Sequence, residues 1–508
     1  MMRAEPKVPA PMPDTATRPL FRFDNSYARE LPGLAVPWQA AKVPAPSLLY
    51  FNRALAQELG LDADALDGER GAAIFSGNEA PEGATPIAQA YAGHQFGGFS
   101  PSLGDGRALL LGEVVDRHGR RRDIAFKGSG RTPFSRGGDG KAAVGPVLRE
   151  AIIGEAMHGL GIPTTRALAA VATGEPVFRE DTLPGAVLTR VASSHLRVGT
   201  FQYFAARGQL DELRQLADYA IRRHDPALAD HPERYLELLR AVAGRQAALI
   251  ARWMHVGFIH GVMNTDNLTI SGETIDYGPC AFMEAHDPAA VFSSIDTQGR
   301  YAYANQPHIA RWNLARLAEA LLPLMDPDEP ERAVPGAVEV IDGFPALYER
   351  HWIEGARAKL GLAAAEEGDA ALARDWLDLL QTQRVDHTLA WRRLAEASDG
   401  EGLRLQAMFE DTRPLLAWLA RWRDRGARET SAPLERAAAM RRANPIYIAR
   451  NHLVEEALAA ASLHNDLAPF ERLLGVLAQP FDERPGLDNH AAPAPAEVTA
   501  GYRTFCGT

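Results

Sequence analysis

Within the stretch HGVMNTDNLTISGETIDYGPC, residues 260–280, an aspartate, an asparagine and a second aspartate stand at 266, 267 and 276. Carboxylate and amide oxygens are hard donors of the kind that hold Mg2+, with few protein ligands and the remaining positions left to phosphates and water. Asn267 and Asp276 are the candidate ligands, Asp276 the stronger because it is charged. Asp266 is the only carboxylate between His260 and Glu273, which makes it the candidate to take a proton from an attacking hydroxyl. An aspartate in an N-T-D-N turn can equally serve to cap that turn. His260 is read as ordering the loop rather than titrating.

The spacing follows a phosphotransfer pattern, H-R-D-L-x-x-x-N followed by D-F-G, with one part missing. His260 and Asn267 keep the pattern's separation, and Asp276-Tyr277-Gly278 stands for D-F-G, but the position of the catalytic aspartate holds Val262. Upstream, "IAFK" puts Lys127 where such proteins carry the lysine that grips phosphate oxygens. Glu150, 23 residues later and in the middle of a predicted helix, is its candidate carboxylate partner. Glu155 is rotated by more than a quarter turn from Glu150, so the two cannot both face the lysine. Gly104 and Gly106 flank Asp105 at the mouth of a strand, as a phosphate-binding turn or as an ordinary tight turn. A basic, glycine-rich loop carries Arg131, Arg136, Asp139, Gly140 and Lys141. It suits a polyanion, or is simply exposed. Arg190 and Arg197 add two cations whose forks match phosphate geometry, or which serve as surface ion pairs.

The elements that must position these residues are legible in outline. Periodicity predicts an N-terminal helix over 46–66, then ordered loop and short strands over 75–104. Strand-like runs at 108–116 and 123–128 form a hairpin around the polar turn RHGRRR. A helix over 144–161 and a strand over 184–192 follow. A long helix over 232–258, with Tyr235, Leu238, Val242, Leu249 and Trp253 along one stripe, leads into His260. NLTI-SGE-TIDYG is predicted as a small hairpin, 300–480 as helix-rich, and 481–508 as an extended, mobile tail. A β-rich segment with one key helix, then a helical segment, is the layout of kinase-like folds. The expected class is therefore α+β, with a protein-kinase-like bilobal fold and N-terminal and helical C-terminal extensions. The expected boundaries are 1–75 for a leader and helical extension, 76–192 for the β-rich lobe, 193–330 for the lobe with the metal loop, and 331–508 for the helical extension and tail.

With 508 residues, 46% apolar and 23% charged, the composition is that of a globular chain. A net charge of −11 argues against a nucleic-acid partner. No apolar run has the length of a membrane span, and the start lacks the apolar core of a signal peptide, so the cytoplasm is expected. Two cysteines, Cys280 and Cys506, are too few for a disulfide scaffold or an all-cysteine zinc site.

Long strings of the sequence closely resemble the selenoprotein O family, which includes the bacterial YdiU-type proteins. They include FDNSYARELPG, AQAYAGHQFGGFSPSLGDGRA, DIAFKGSGRTPFSRGGDGKAA, LREAIIGEAMHGLGIPTTRAL, HGVMNTDNLTISGETIDYGPCAFM and the terminal TFCGT. The resemblance implies a kinase-like fold that transfers AMP from ATP to Ser, Thr or Tyr hydroxyls of proteins, with ATP reversed relative to kinases. It places nucleotide contacts on Gly104, Gly106, Arg107, Lys127, Asp139, Gly140, Arg190 and Arg197. The proton acceptor falls on Asp266, the metal ligands on Asn267 and Asp276, and the lysine's partner on Glu150. Mn2+ can stand in for Mg2+, since both favour oxygen, and UTP use is then conceivable. The resemblance also suggests a redox link, for which the only intramolecular pairing is Cys280 with Cys506. The rival readings are a conventional kinase with Asp266 as base, and a nucleotide-binding pseudokinase scaffold without catalysis.

Overall fold

In the computed structural model of the chain, residues 20–499 and 501–505 are described. The leader through residue 19 and Cys506 lie outside them. Ten strands precede residue 193: β1 Ala35–Pro37, β2 Ser47–Phe51, β3 Ile87–Gln89, β4 Gly93–Gln95, β5 Gly98–Ser100, β6 Ala108–Val115, β7 Arg121–Lys127, β8 Ala142–Ala143, β9 Arg166–Phe178 and β10 Thr182–Ala192. Seven run in the order β1-β3-β6-β7-β10-β9-β2, with β8 added against β10, and all of the pairings are antiparallel. β4 and β5 form a separate hairpin. The class is α+β.

The central strands read as near-continuous apolar runs because both faces of the sheet are covered. Leu110, Ala125, Ala170 and Leu188 face one core with the helix Val144–Gly159 and the helical remainder of the chain. Leu109, Leu111, Phe126 and Val171 face a second core closed by the short N-terminal helices. The helix Val144–Gly159 lays Val147, Leu148, Ala151 and Ile152 on the sheet, each no more than 2% exposed. Beyond residue 193 helices dominate, including Val198–Ala205, Leu210–His224, Arg234–Val256, Gln306–Met325 and Val334–Leu360. The apolar stripe of Arg234–Val256 is buried, and Gly257 ends that helix just before the chain reaches His260. Among the described residues no helix is long and apolar enough to cross a membrane.

Three expectations are corrected. The helix over 46–66 begins as strand β2, paired with β9. Asn52 starts the helix Arg53–Glu58 only after it, by accepting the backbone N–H of Leu55 at 3.0 Å. The alanine-rich β9 was not foreseen; pairing on both sides, with β10 and β2, makes a strand of a run with little strand propensity. The hairpin over 268–277 is instead a turn whose arms pair outward, Thr269 with Arg197 and Thr274 with Thr164. The Thr269 hydroxyl closes the turn on the backbone of Glu273, at 2.6 Å to its carbonyl and 3.0 Å from its N–H. The mobile tail is the third: at 501–505 the chain is docked, with Thr504 only 3% exposed and its N–H given to the Phe292 carbonyl at 2.8 Å.

Arg223 of Leu210–His224 ties this helix to the sheet through the buried carboxylates of Glu113 and Asp123. Arg223→Ala leaves two acids without their cation and should cost about 3–5 kcal/mol. The check is the shift of the urea unfolding midpoint against the parent.

Candidate active site

Three cations from three elements converge on one carboxylate. Lys127, at the end of β7, has its Nζ 2.7 Å from Asp276 Oδ1, and Arg190 of β10 has its Nη1 at 2.7 Å from the same oxygen. Arg197, just before the helix Val198–Ala205, lies 3.5 Å from Asp276 Oδ2. Asp276 sits in the left-handed region, at φ 63°, which turns its carboxylate back toward the sheet. Burial alone would raise this acid; the charges of Lys127, Arg190 and Arg197 outweigh it and hold the carboxyl well below its ordinary range. Lys127 also pairs with Glu150 of the helix Val144–Gly159, and Glu150 Oε2 is 3.5 Å from Arg190. Glu155, the other helix acid, faces away and binds Arg166 at 2.6 Å.

Asp266 and Asn267 sit on a single helical turn, Thr265–Asn267. The Asn267 amide nitrogen donates to the Val262 carbonyl at 3.0 Å, which leaves its amide oxygen available to a cation. Asp266 Oδ1 is buried and makes no hydrogen bond within the protein. Burial raises the Asp266 carboxyl to about 6 against the lowering charge of Arg197. Val262 is buried and apolar, so no base stands at that position. His260 is buried against Trp253 and bonds through Nε2 to the Ile275 carbonyl at 2.9 Å, and it therefore braces the loop.

These residues line one cleft of about 780 Å³. Gly104, Gly106, Arg107, Lys127, Asp139, Gly140, Arg190, Arg197, Asp266, Asn267 and Asp276 all face it, and Glu150 stands behind Lys127. Gly104 is needed for a close approach: its φ is +68°, and a Cβ there would sit 2.3 Å from the Phe134 ring. The glycine-rich loop thus folds down onto the G-D-G turn, and Thr132 donates to the Asp105 carbonyl at 2.6 Å. Asp139 is paired with Arg179 at 2.8 Å, which lowers its carboxyl. A second cavity of about 500 Å³ adjoins the first, and Arg107, Lys127 and Gly278 line both.

Several functional side chains went unread in the sequence. Asp105 is buried, accepts the Gln89 N–H at 2.9 Å, and is raised to about 6 by desolvation; its position between two glycines was its only signal. Tyr91 carries Arg197 over its ring at 4.5 Å. Arg190 Nε donates to His195 Nε2 at 3.3 Å, which leaves Nδ1–H for Asp123 at 3.0 Å, so His195 is neutral and orients the arginine. Arg149 was missed beside Glu150. It donates to the Gly278 carbonyl at 2.9 Å and the Cys280 carbonyl at 2.6 Å, while Thr504 donates to the Pro279 carbonyl between them at 2.6 Å. Three successive carbonyls behind Asp276 are thereby captured, one of them from the far end of the chain. Cys280 is buried, and desolvation raises its thiol to about 11. Its proposed partner Cys506 lies outside the described residues.

The cleft thus combines clustered cations with the hard oxygens of Asn267 and Asp276, groups able to bind phosphate and a divalent ion. Residues 21–478 match the family model described as "Protein adenylyltransferase SelO". A protein of Cereibacter sphaeroides named "Protein nucleotidyltransferase YdiU" is 66% identical over 489 residues, covering 96% of this chain and 100% of that one. Its namesake in Chromobacterium violaceum is 66% identical over 478 residues, covering 94% and 100%. The one in Rhizobium meliloti is 58% identical over 490 residues, covering 96% and 99%. The protein is an enzyme of the nucleotidyltransferase class. It belongs to the SelO/YdiU family.

Arg149→Gln should loosen the backbone that follows Asp276 and lower the turnover number about ten-fold, the cost of a lost charge-assisted bond. The KM for nucleotide should move less. Steady-state kinetics with both substrates varied, alongside a thermal melt, measure this.

Proposed function

We propose that the enzyme is a protein adenylyltransferase that moves AMP from ATP to Ser, Thr or Tyr hydroxyls of proteins. The observation that carries this reading is the division of labour in the cleft. A cluster of fixed cations lies at Lys127, Arg190 and Arg197, whereas among the described carboxylates lining the cleft it is Asp266, not position 262, that keeps a buried oxygen without a hydrogen bond. Cations deep in the cleft suit the β- and γ-phosphates of a reversed nucleotide, which brings the α-phosphorus to Asp266. The acceptor oxygen attacks that phosphorus, its proton passes to Asp266, the α–β phosphoanhydride bond breaks, and pyrophosphate leaves with its charge held by the cations.

Gly104, Gly106, Arg107, Asp139 and Gly140 are assigned to the nucleotide and Glu150 to holding Lys127. Asn267 and Asp276 fit Mg2+ or Mn2+: both offer oxygen to the same cleft. Among the described residues no group of three or more His, Cys, Asp or Glu side chains could hold a metal alone, so an ion here would take the rest of its oxygens from phosphate and water. When bound, such an ion neutralises phosphate charge. UMP transfer from UTP with Mn2+ belongs to the same reading. So do a kinase-like bilobal division with lobes at 76–192 and 193–330 between extensions at 1–75 and 331–508, and a cytoplasmic setting. A redox pair of Cys280 and Cys506 is supported by Thr504, bonded to the residue before Cys280; the two residues from there to 506 reach about 7 Å.

ATP labelled at the α- or the γ-phosphate, incubated with the enzyme and a protein acceptor, separates the readings. Covalent α-label is expected; γ-label would establish a kinase, and neither label a scaffold. Asp276→Ala should reduce transfer about a thousand-fold, and substantial residual activity would remove the metal assignment. Protonated Asp266 cannot accept a proton, so the rate should fall as pH drops through about 6. Asp266→Asn should abolish that limb together with most activity. Asp105 titrates in the same range but is bonded to Gln89, and Asp105→Asn should retain the limb. Cys506→Ser should lose any response of activity to oxidant and reductant.

A further inference from the structure

The β4–β5 hairpin, GHQFGGFS, lies directly against the proposed base. A Cβ at Gly93 would come within 2.7 Å of Asp266 Oδ1. His94 N–H donates to Thr265 Oγ1 at 2.7 Å and Phe96 N–H to Asn264 Oδ1 at 3.0 Å, so the hairpin is fixed to the two residues before Asp266. The Tyr301 hydroxyl donates to the same Asn264 oxygen at 2.6 Å.

The tip of this hairpin is chosen against its own backbone. Phe96 has φ 51° and Gly97 φ 88°, the two left-handed positions of a tight hairpin turn, where Asn-Gly is the favoured pair. A phenylalanine there is disfavoured, and it does not repay the fold by full burial: Phe96 is 39% exposed, its neighbour Phe99 42%, and Ile295 across the cleft mouth 48%. Phe96 and Ile295 line the cleft that holds Asp266. Strained, exposed apolar residues at the rim of a site mark binding. Beside them Arg300 lies over the Trp312 ring at 4.8 Å and has no carboxylate partner among the described residues. The rim thus presents apolar surface beside a guanidinium that forms no ion pair among the described residues.

We propose that this hairpin, with Ile295 and Arg300, is the docking lip for the acceptor polypeptide. It takes an apolar side chain near the acceptor hydroxyl on Phe96, Phe99 and Ile295, and an acidic side chain on Arg300. The assignment rests on the adenylyltransferase reading, because only a macromolecular acceptor needs a surface outside the cleft.

Dephosphorylated β-casein, an unfolded acidic protein, is the probe. Its binding to the full-length enzyme is read by fluorescence anisotropy with a non-hydrolysable ATP analogue present, and its labelling from α-labelled ATP is read separately. Phe96→Asn suits the left-handed position and should melt at or above the parent's temperature, while Phe99→Ser gives up the ring contact with His94 and should melt slightly below it yet still fold. The double variant should weaken casein binding about ten-fold, the effect of losing anchor residues, and leave ATP affinity unchanged. Arg300→Glu should weaken casein binding and improve that of poly-lysine. Unchanged casein binding in the double variant, a loss of ATP affinity in its place, or a parent that does not bind casein overturns the lip. Weakened binding with no α-label on casein in the parent upholds the lip and sinks the adenylylation reading instead.

Discussion

The structure turns on the carboxylate of Asp276. It stands where β7, β10, the segment before Val198–Ala205 and the loop after His260 meet, and it bonds a cation from each of the first three. Three positive side chains buried together repel one another at short range and in low dielectric. Asp276, with Glu150 behind it, supplies the negative charge that lets them sit together. The same cations that pair with Asp276 are of the kind suited to a nucleotide's phosphates.

The charge cluster is kept in register from behind. His195 aims Arg190, Asp123 fixes the tautomer of His195, and Arg223 neutralises Asp123 and Glu113 in turn. On the other side Arg149 and Thr504 hold the three carbonyls after Tyr277. Such buried polar networks rigidify a site only when every member is satisfied. Asp266 keeps a buried carboxylate oxygen without a hydrogen bond beside this network, as does Glu150.

Much of the site could be read from residue types because phosphate and divalent-ion chemistry admits few of them. Lys127, Glu150, Asp266, Asn267 and Asp276 were singled out by spacing, and all but Glu150 line the cleft. The residues that escaped reading act through position alone. An arginine next to Glu150 or a threonine near the end of the chain carries no pattern, and the partners of Arg149 and Thr504 are more than 100 residues away. Among the elements, helices with a long apolar stripe were legible, as at 234–256. The strand β2 reads as helix in the sequence because its partner β9, which decides the matter, lies far along the chain.

The sequence by itself determined the family, the hard-oxygen pair, the lysine and the absence of a base at Val262, because these depend on side-chain chemistry and local order. Only the tertiary structure decided that Lys127, Arg190 and Arg197 share a single anion, that Asp266 keeps a bare oxygen under a strained aromatic hairpin, and that the segment 501–505 is docked behind the loop that follows Asp276. Charge neutralisation and hydrogen bonding in a dry interior depend on distances of a few ångströms between residues a hundred or more apart, and such distances leave no mark on a local stretch of chain.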